Sequence, residues 1–224
     1  MSEHLIENET KAMRIADCLR ADIISGVFEA GTRITTKEIG DRYGASNVPV
    51  REALRTLESE KLLEINAYKG ATILNINEEY ISSIYELQRS LQLLIYEKAL
   101  PALTEEVFSR LKEINEEIGS LRDTEDDRRK YLNLDKVFHD IILQLSSNVP
   151  AVELYTNYYK LLNSIRRTYL PEYERVREAY REHISIIAAL EARDLLKLRF
   201  CIDAHSIEAE RNLMLQFKSR RETE

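Results

Sequence analysis

The stretch from Gly44 to Leu57, GASNVPVREALRTL, constrains this chain more than any other. Gly44 tolerates the backbone that ends a short helix, and Ser46 is a natural N-cap for the helix that follows. Pro49 falls in the first turn of that helix, where its missing N–H costs little. Apolar residues then recur at spacings of 0, 3, 4 and 7, which predicts one buried face: Val50, Ala53, Leu54 and Leu57. The pattern predicts the turn and second helix of a helix-turn-helix, a unit typical of DNA-binding proteins.

Two arginines of this predicted helix are candidates for DNA contact. Arg51 and Arg55 lie one turn apart, on a different face from the apolar residues, where both can reach a nucleic acid. The alternative is that both are solvated and form ion pairs with Glu52, Glu58 or other nearby acids.

The formal net charge of −7 is unusual for a DNA-binding protein, but the charge is unevenly distributed. Residues 33–55 carry a local net charge of +2, from five basic residues (Arg33, Lys37, Arg42, Arg51, Arg55) and three acidic ones (Glu38, Asp41, Glu52). A local basic surface holds phosphates while the rest of the molecule repels non-specific DNA. We therefore add Lys37 as a candidate phosphate contact, with a solvent-exposed lysine as the alternative, and Arg33 as a further candidate.

With 224 residues, 44% hydrophobic and 32% charged, the chain can hold one large or two small globular domains. No apolar run approaches the roughly 20 residues that span a bilayer. The acidic, polar start MSEHLIENET does not have the pattern of a secretory signal. Cys18 and Cys201 are far apart in sequence, which favours inert thiols in a reducing compartment. We therefore expect a cytoplasmic protein with no membrane association.

Three helices are predicted before residue 62. The first covers about residues 9–25, with five apolar side chains turned inward: Met13, Ala16, Leu19, Ile23 and Ile24. The second is short and begins after Thr35 or Thr36 as its cap. The third, the recognition-type helix, covers about residues 49–61.

Two segments rich in β-branched residues follow, at 62–65 and 71–76, and the loop between them predicts a hairpin. The tip of this hairpin, with Lys69 and Gly70, is expected near the minor groove beside the recognition helix. Three helices and a hairpin make a winged helix-turn-helix domain, which we assign to residues 1–77.

Residues 78–224 have helical patterns throughout. We predict six helices, near 78–100, 104–122, 126–147, 150–169, 172–191 and 194–217. Pro101, Pro150 and Pro171 each lie at a junction between two of them. Helices with such short connections form a compact antiparallel bundle. The predicted fold class is therefore mostly α: an N-terminal winged helix-turn-helix followed by an all-α antiparallel bundle.

One carboxylate and three histidines share an inward-facing helical phase in this bundle. Asp135 and His139 lie one turn apart in the third bundle helix, while His183 and His205 lie on the apolar faces of the fifth and sixth. A carboxylate that faces a core is costly unless it is paired or binds a cation. Three imidazoles and one carboxylate suit a divalent transition metal with an open position for a further ligand. The alternative is three separately hydrogen-bonded core histidines and a buried Asp–His pair.

The chain resembles the GntR family of bacterial transcription regulators, specifically its FadR subfamily, from about residue 9 to 215. The N-terminal half is similar to the family's winged helix at residues 24–26, 31–34, 49–54 and 69–72. The C-terminal half is similar to the family's ligand-binding helical domain, of the FCD type, at residues 135–139, 183–194 and 205, and loosely at 147–148. The two halves occur in the order that the family has.

The resemblance implies a homodimer that binds a palindromic double-stranded DNA operator and responds to an effector. It also implies that one divalent metal ion is held by Asp135, His139, His183 and His205. Zinc is the first expectation, with nickel and manganese as alternatives, and a small organic anion completes the shell. Arg89 and Asn148 are the candidates for binding that anion, although an exposed ion pair between Arg89 and Glu86 is equally compatible with the sequence.

Three positions depart from the family pattern. Asn47 and Val48 follow Ser46 where the family has a basic residue and a threonine, so the base read there is expected to differ, and Asn47 suits adenine. Gln92 stands where the family has an acidic residue in the first bundle helix.

A metal-dependent enzyme acting on a small carboxylate is the alternative function. The sequence contains no HExxH pair, no nucleophile elbow and no phosphate-cradling glycine loop. An enzyme would also leave the winged helix unexplained, so we expect a regulator without catalytic residues.

Overall fold

The computed structural model describes residues 10–66 and 70–221. Within these ranges the chain forms nine α-helices and one three-stranded sheet. It divides into two compact units, with the boundary between Ile76 and Asn77. The first contains three helices and the sheet, and the second is helical. The predicted fold class is confirmed.

The first unit contains helices α1 (Lys11–Ile24), α2 (Thr36–Tyr43) and α3 (Asn47–Ser59). The cap of α2 is Thr35: its side chain accepts from Glu38 N while the Glu38 side chain accepts from the Thr35 backbone, a capping box. Gly44, with φ of 60°, ends α2 in the left-handed conformation that glycine adopts without strain. The recognition-type helix α3 starts at Asn47, two residues earlier than predicted.

The predicted inner face of α3 is buried, with exposures of 3% or less: Val50, Ala53, Leu54 and Leu57. In α1, however, the prediction for Met13 is wrong, since its side chain is 52% exposed. The buried stripe of α1 instead starts at Ala12 and Ile15. Met13 follows Ala12 by one residue, which turns it about 100° away from that stripe.

The wing is a sheet of β1 (Arg33–Ile34), β2 (Leu63–Asn66) and β3 (Gly70–Ile73), antiparallel in the order β1-β3-β2. The predicted second strand, β3, is shorter than expected. Strand β1 was not predicted, because a strand of two residues is too short to show a periodic pattern in the sequence. Gly70 has φ of 86°, and a Cβ there would lie 2.2 Å from the carbonyl oxygen of Ile34. The pairing of β1 with β3 therefore requires glycine at this position.

The second unit contains six α-helices: α4 (Glu78–Ala99), α5 (Glu105–Gly119), α6 (Glu125–Leu143), α7 (Val149–Thr168), α8 (Tyr173–Glu191) and α9 (Leu195–Arg221). A short 3₁₀ helix, Leu100–Ala102, follows α4. Four N-cap side chains accept a backbone N–H: Asn77, Thr104, Thr124 and Asn148. Helix α4 packs against α7 and α9, and α8 packs against α5 and α9. None of the helices described is long and apolar enough to cross a membrane.

Candidate nucleic-acid interface and candidate metal centre

The first turns of α3 present an exposed surface that we call the recognition surface: Ser46, Asn47, Val48, Arg51 and Arg55. Because the opposite face of α3 is buried in the unit, these side chains point away from its core. The apolar Val48 side chain is 68% exposed. The Ser46 hydroxyl makes no capping hydrogen bond. The surface thus offers hydrogen-bond donors, a cationic pair and an apolar group.

The two arginines of the recognition surface are not in the ion pairs that the sequence left open. Arg51 and Arg55 form no ion pair or side-chain hydrogen bond with any residue that the structure describes. Glu58 instead accepts a hydrogen bond from Ile65 N at 2.8 Å. Both guanidinium groups are exposed and available to an external partner.

The other candidates for DNA contact differ in their surroundings. Lys37, near the start of α2, is exposed and unpaired among the residues described, and Arg33 is exposed on β1. Arg42 is held by Asp22 at 2.8 Å. Gly70 has the packing role already described, and Lys69 lies outside the described residues.

The structure brings together all four predicted metal ligands: Asp135 and His139 on α6, His183 on α8 and His205 on α9. One ligand atom of each lies within 4.8 Å of those of the other three, and all four residues are buried. The Asp135 carboxylate oxygen Oδ1 is 3.5 Å from His183 Nε2 and 3.7 Å from His139 Nε2. His139 Nε2 and His205 Nε2 are 3.3 Å apart. The four residues, each predicted on the inward face of its helix, therefore surround one point.

Neighbouring side chains contact the outer nitrogen, Nδ1, of each imidazole. His183 Nδ1 lies 3.1 Å from Asn115 Oδ1, and His205 Nδ1 lies 2.7 Å from a Glu182 carboxylate oxygen. His205 Nδ1 also lies 3.4 Å from the donor Arg175 Nη2, but the Glu182 oxygen is much nearer. In both histidines the nearest partner is thus an acceptor, so Nδ1 carries the proton and Nε2 presents its lone pair to the cluster. Such outer partners orient metal-ligating histidines.

The surroundings of His139 are different. The Tyr96 hydroxyl is 2.6 Å from His139 Nδ1, and Gln92 Nε2 is 3.2 Å from the same nitrogen. A hydroxyl both donates and accepts, so Tyr96 is compatible with either tautomer. Gln92, the position that departs from the family pattern, is therefore in contact with a candidate metal ligand.

The cluster fits a divalent cation. His183 Nε2 is buried and has no hydrogen-bond partner, which is costly unless something outside the chain binds it. Burial lowers the pKa of His183 to about 4 and lowers that of His139 well below its usual value. Burial opposes ionisation of Asp135, yet the neighbouring imidazoles bring its pKa below the usual range. At neutral pH the Asp135 carboxylate is charged and the imidazoles of His139 and His183 are neutral, the forms that bind metals.

A narrow space beside the cluster, which we call the central cavity, is lined by polar side chains that include Gln88, Gln92, His139, Arg166 and His205. The Arg166 guanidinium supplies a permanent positive charge on the wall of this cavity. Arg166 Nη1 lies 3.7 Å from Asp135 Oδ2, while Nε and Nη2 donate to the Tyr85 hydroxyl at 3.2 and 2.9 Å. An anion beside the cluster would meet this guanidinium.

The two residues expected to bind the anion lie elsewhere. Arg89 pairs with Glu210 on α9 at 3.1 Å, and not with Glu86. Asn148 caps α7, where its Oδ1 accepts from Ala151 N at 3.3 Å. Neither residue lines the central cavity.

Sequence reasoning missed Asn115, Glu182 and Arg166. Asn115 did leave a signal, because it is a polar residue within the buried stripe of α5. Glu182 directly precedes His183, but its contact with His205 joins two helices. Arg166 is one of two consecutive arginines, and nothing in the local pattern distinguishes the inward one.

Two family profiles match the chain. The profile of the bacterial regulatory proteins of the gntR family matches residues 11–73, and the FCD domain profile matches residues 83–208. The gluconate operon transcriptional repressor of Bacillus licheniformis is 25% identical over 198 residues, which cover 86% of this chain and 80% of the relative.

Solved structures agree with this fold. McbR/YncC of Escherichia coli superposes with a TM-score of 0.63 at 21% identity, covering 92% of this chain and 98% of that one. Lar, which controls expression of the Listeria monocytogenes agr system, superposes with a TM-score of 0.69 at 14% identity, covering 92% and 97%. The matched families are those of transcriptional regulators, and the chain is a regulator and not an enzyme. It belongs to the GntR family of bacterial transcription regulators that carry an FCD domain.

Proposed function

We propose that this regulator binds a palindromic operator as a homodimer, and that a metal ion at Asp135, His139, His183 and His205 makes it responsive to a small organic anion. We further assign it to the FadR subfamily and to the cytoplasm, where its DNA target lies. The observation that carries the effector part is the buried, unpartnered His183 Nε2 within a cluster of four ligand atoms.

The recognition surface supports a specific mode of DNA reading. Arg51 is suited to guanine in the major groove, and Asn47 is suited to adenine. The exposed Val48 offers an apolar contact for a thymine methyl group. Lys37 and Arg33 are suited to phosphates, which fix the position of the helix without reading sequence. Lys69 remains a proposed wing contact.

A second copy of this chain is the proposed partner for an apolar surface on α9. This α9 outer face consists of Leu196, Phe200, Ile207 and Leu215, and its side chains are 49–83% exposed. The adjoining groove between α4 and α9 carries both signs of charge, on Glu86, Arg89, Arg199 and Asp203. A surface with both signs is complementary to itself across a twofold axis. Two winged helices are also needed to read enough bases for a genomic target.

A metal ion at the four ligands would supply a Lewis-acidic cation with open positions for an anionic group. Arg166 adds a second positive charge on the wall of the central cavity. Because that cavity is narrow, the anion is small. Such a ligand shifts the DNA-binding equilibrium only as far as it binds one conformation more tightly than the other.

Elemental analysis and thermal melting after metal loading test this proposal. Wild-type protein loaded with zinc, nickel or manganese should retain about one ion per chain and melt at a higher temperature than after chelation. His183→Ala and His205→Ala should retain much less. His4→Ala changes the remaining histidine and is the matched control, which should behave like wild type. Metal-free wild-type protein with an unchanged melting temperature after loading would overturn the metal site.

A further inference from the structure

A second cavity in the helical unit shares Arg166 with the central cavity. We call it the arginine cavity; its lining includes Tyr131, Arg166, Tyr169, Arg175, Asn212 and Leu213. None of the four candidate metal ligands lines it. Two guanidinium groups therefore line one space that the metal site itself does not use.

Arg175 is almost fully buried, with 3% of its side chain exposed, and its donors are only partly used. Nη2 donates to a Glu182 carboxylate oxygen at 2.7 Å and to the His205 carbonyl oxygen at 3.3 Å. Nε and Nη1 are buried without a hydrogen-bond partner. The Glu178 carboxylate is 3.6 Å from Nη1, which is too long for a hydrogen bond. Arginine remains charged in proteins, so these two nitrogens cannot avoid the cost by deprotonation.

The second cation, Arg166, is held more fully, since its Nε and Nη2 donate to the Tyr85 hydroxyl. Arg166 Nη1 lies 3.7 Å from Asp135 Oδ2, beyond hydrogen-bond distance. Asp135 is itself a proposed metal ligand. A buried guanidinium with unused donors, beside a second guanidinium that is 16% exposed, is suited to an oxyanion, which accepts several charged hydrogen bonds at once.

We propose that the arginine cavity binds an oxyanion group through Arg175 and Arg166. The group is either free inorganic phosphate or a second acid group of the effector, and the second possibility rests on the proposed function. Glu182 accepts from His205 Nδ1 and from Arg175 Nη2 through the same carboxylate oxygen. An oxyanion bound to Nε and Nη1 of Arg175 lies on the same guanidinium whose Nη2 holds Glu182, and Glu182 in turn holds His205. The cavity and the metal centre are coupled through these three residues.

Calorimetric titration of the full-length protein tests the proposal, at constant ionic strength set with sodium chloride. Phosphate is titrated into metal-stripped protein, and succinate and acetate are titrated into stripped and zinc-loaded protein. We expect saturable binding whose Kd rises at least tenfold in Arg175→Gln. Arg181→Gln removes an exposed arginine of the same helix, one that pairs with Glu174, and should leave the Kd unchanged. If Arg175→Gln does not melt cooperatively, Arg175→Lys keeps the charge and should still weaken binding at least fivefold.

The phosphate and succinate titrations distinguish free phosphate from a second acid group of the effector. Phosphate binding without metal that depends on Arg175 identifies a site for the free ion. Succinate binding that needs zinc and weakens in Arg175→Gln, while acetate binding does not, identifies the second acid group of an effector. The proposal is overturned if neither phosphate nor succinate shows binding that depends on Arg175. Because the phosphate arm uses stripped protein, its result does not depend on whether the metal site exists.

Discussion

Asn115 Oδ1 accepts a hydrogen bond from His183 Nδ1 at 3.1 Å, and this contact decides which nitrogen of the imidazole faces Asp135. The Asn115 side chain is itself oriented, because its Nδ2 donates to the Tyr180 carbonyl oxygen at 3.0 Å. Helix α5, which carries none of the four candidate ligands, thus sets the tautomer of one of them.

Asn115→Leu removes this acceptor while keeping the size of the side chain. We expect zinc affinity to fall by about 10- to 100-fold, because His183 loses the partner that orients it. A competition titration against a chromophoric chelator measures the change. Asn133→Leu, at an exposed amide on α6 that contacts Arg167, is the control and should keep wild-type affinity. Equal affinities in both variants would remove Asn115 from the site.

Arg51→Ala should weaken specific operator binding while leaving the fold intact, because the side chain is exposed. Loss of one bidentate base contact in each half-site of a dimer costs about 2–6 kcal/mol in total. Duplexes selected from a random library by the wild-type protein supply the operator for a shift assay at fixed salt. Arg129→Ala, at an exposed arginine of the helical unit, should bind normally. Wild-type affinity in Arg51→Ala would contradict the assignment.

Gly70→Ala should destabilise the wing far more than Gly31→Ala. Both glycines have positive φ, 86° and 78°, so each alanine carries a similar backbone cost of about 1 kcal/mol. Only at Gly70 does the added Cβ meet another atom, the Ile34 carbonyl oxygen at 2.2 Å, while nothing lies within 4 Å at Gly31. Chemical denaturation followed by circular dichroism measures both free energies of unfolding. Similar values for the two variants would show that β1 moves away at little cost.

Phe200→Asp should convert the proposed dimer to a monomer. The Phe200 side chain is 73% exposed on the α9 outer face, and a charge there would be buried without a partner in a dimer. Light scattering at micromolar concentration gives the mass directly, with 26.1 kDa expected for one chain. Ile184→Asp makes the same kind of change at an apolar residue of α8 that is 47% exposed, and should remain dimeric. A dimeric Phe200→Asp variant would exclude this face.

The sequence alone determined the fold class and the positions of nearly all the helices. Apolar residues at helical spacing define a buried face whatever the helix packs against, so Val50, Ala53, Leu54 and Leu57 were identified without a structure. The same reasoning brought the candidate metal ligands onto inward faces of three helices. This reasoning is less exact at the edge of a buried stripe. Ala12 is buried, whereas the next residue, Met13, is exposed.

Only the tertiary structure decided what each inward side chain meets. The strand β1 exists because β3 lies beside it, and two residues carry no periodic signal of their own. Asn115 on α5 contacts His183 on α8, and Glu182 on α8 contacts His205 on α9. Neither contact between helices could be predicted from the positions of these residues along the chain. Arg166 faces the central cavity where Arg89 was expected, because the rotation of each helix about its axis is fixed by the packing of the whole bundle. Local sequence determines which face is buried, and tertiary packing determines which buried groups lie within hydrogen-bond distance.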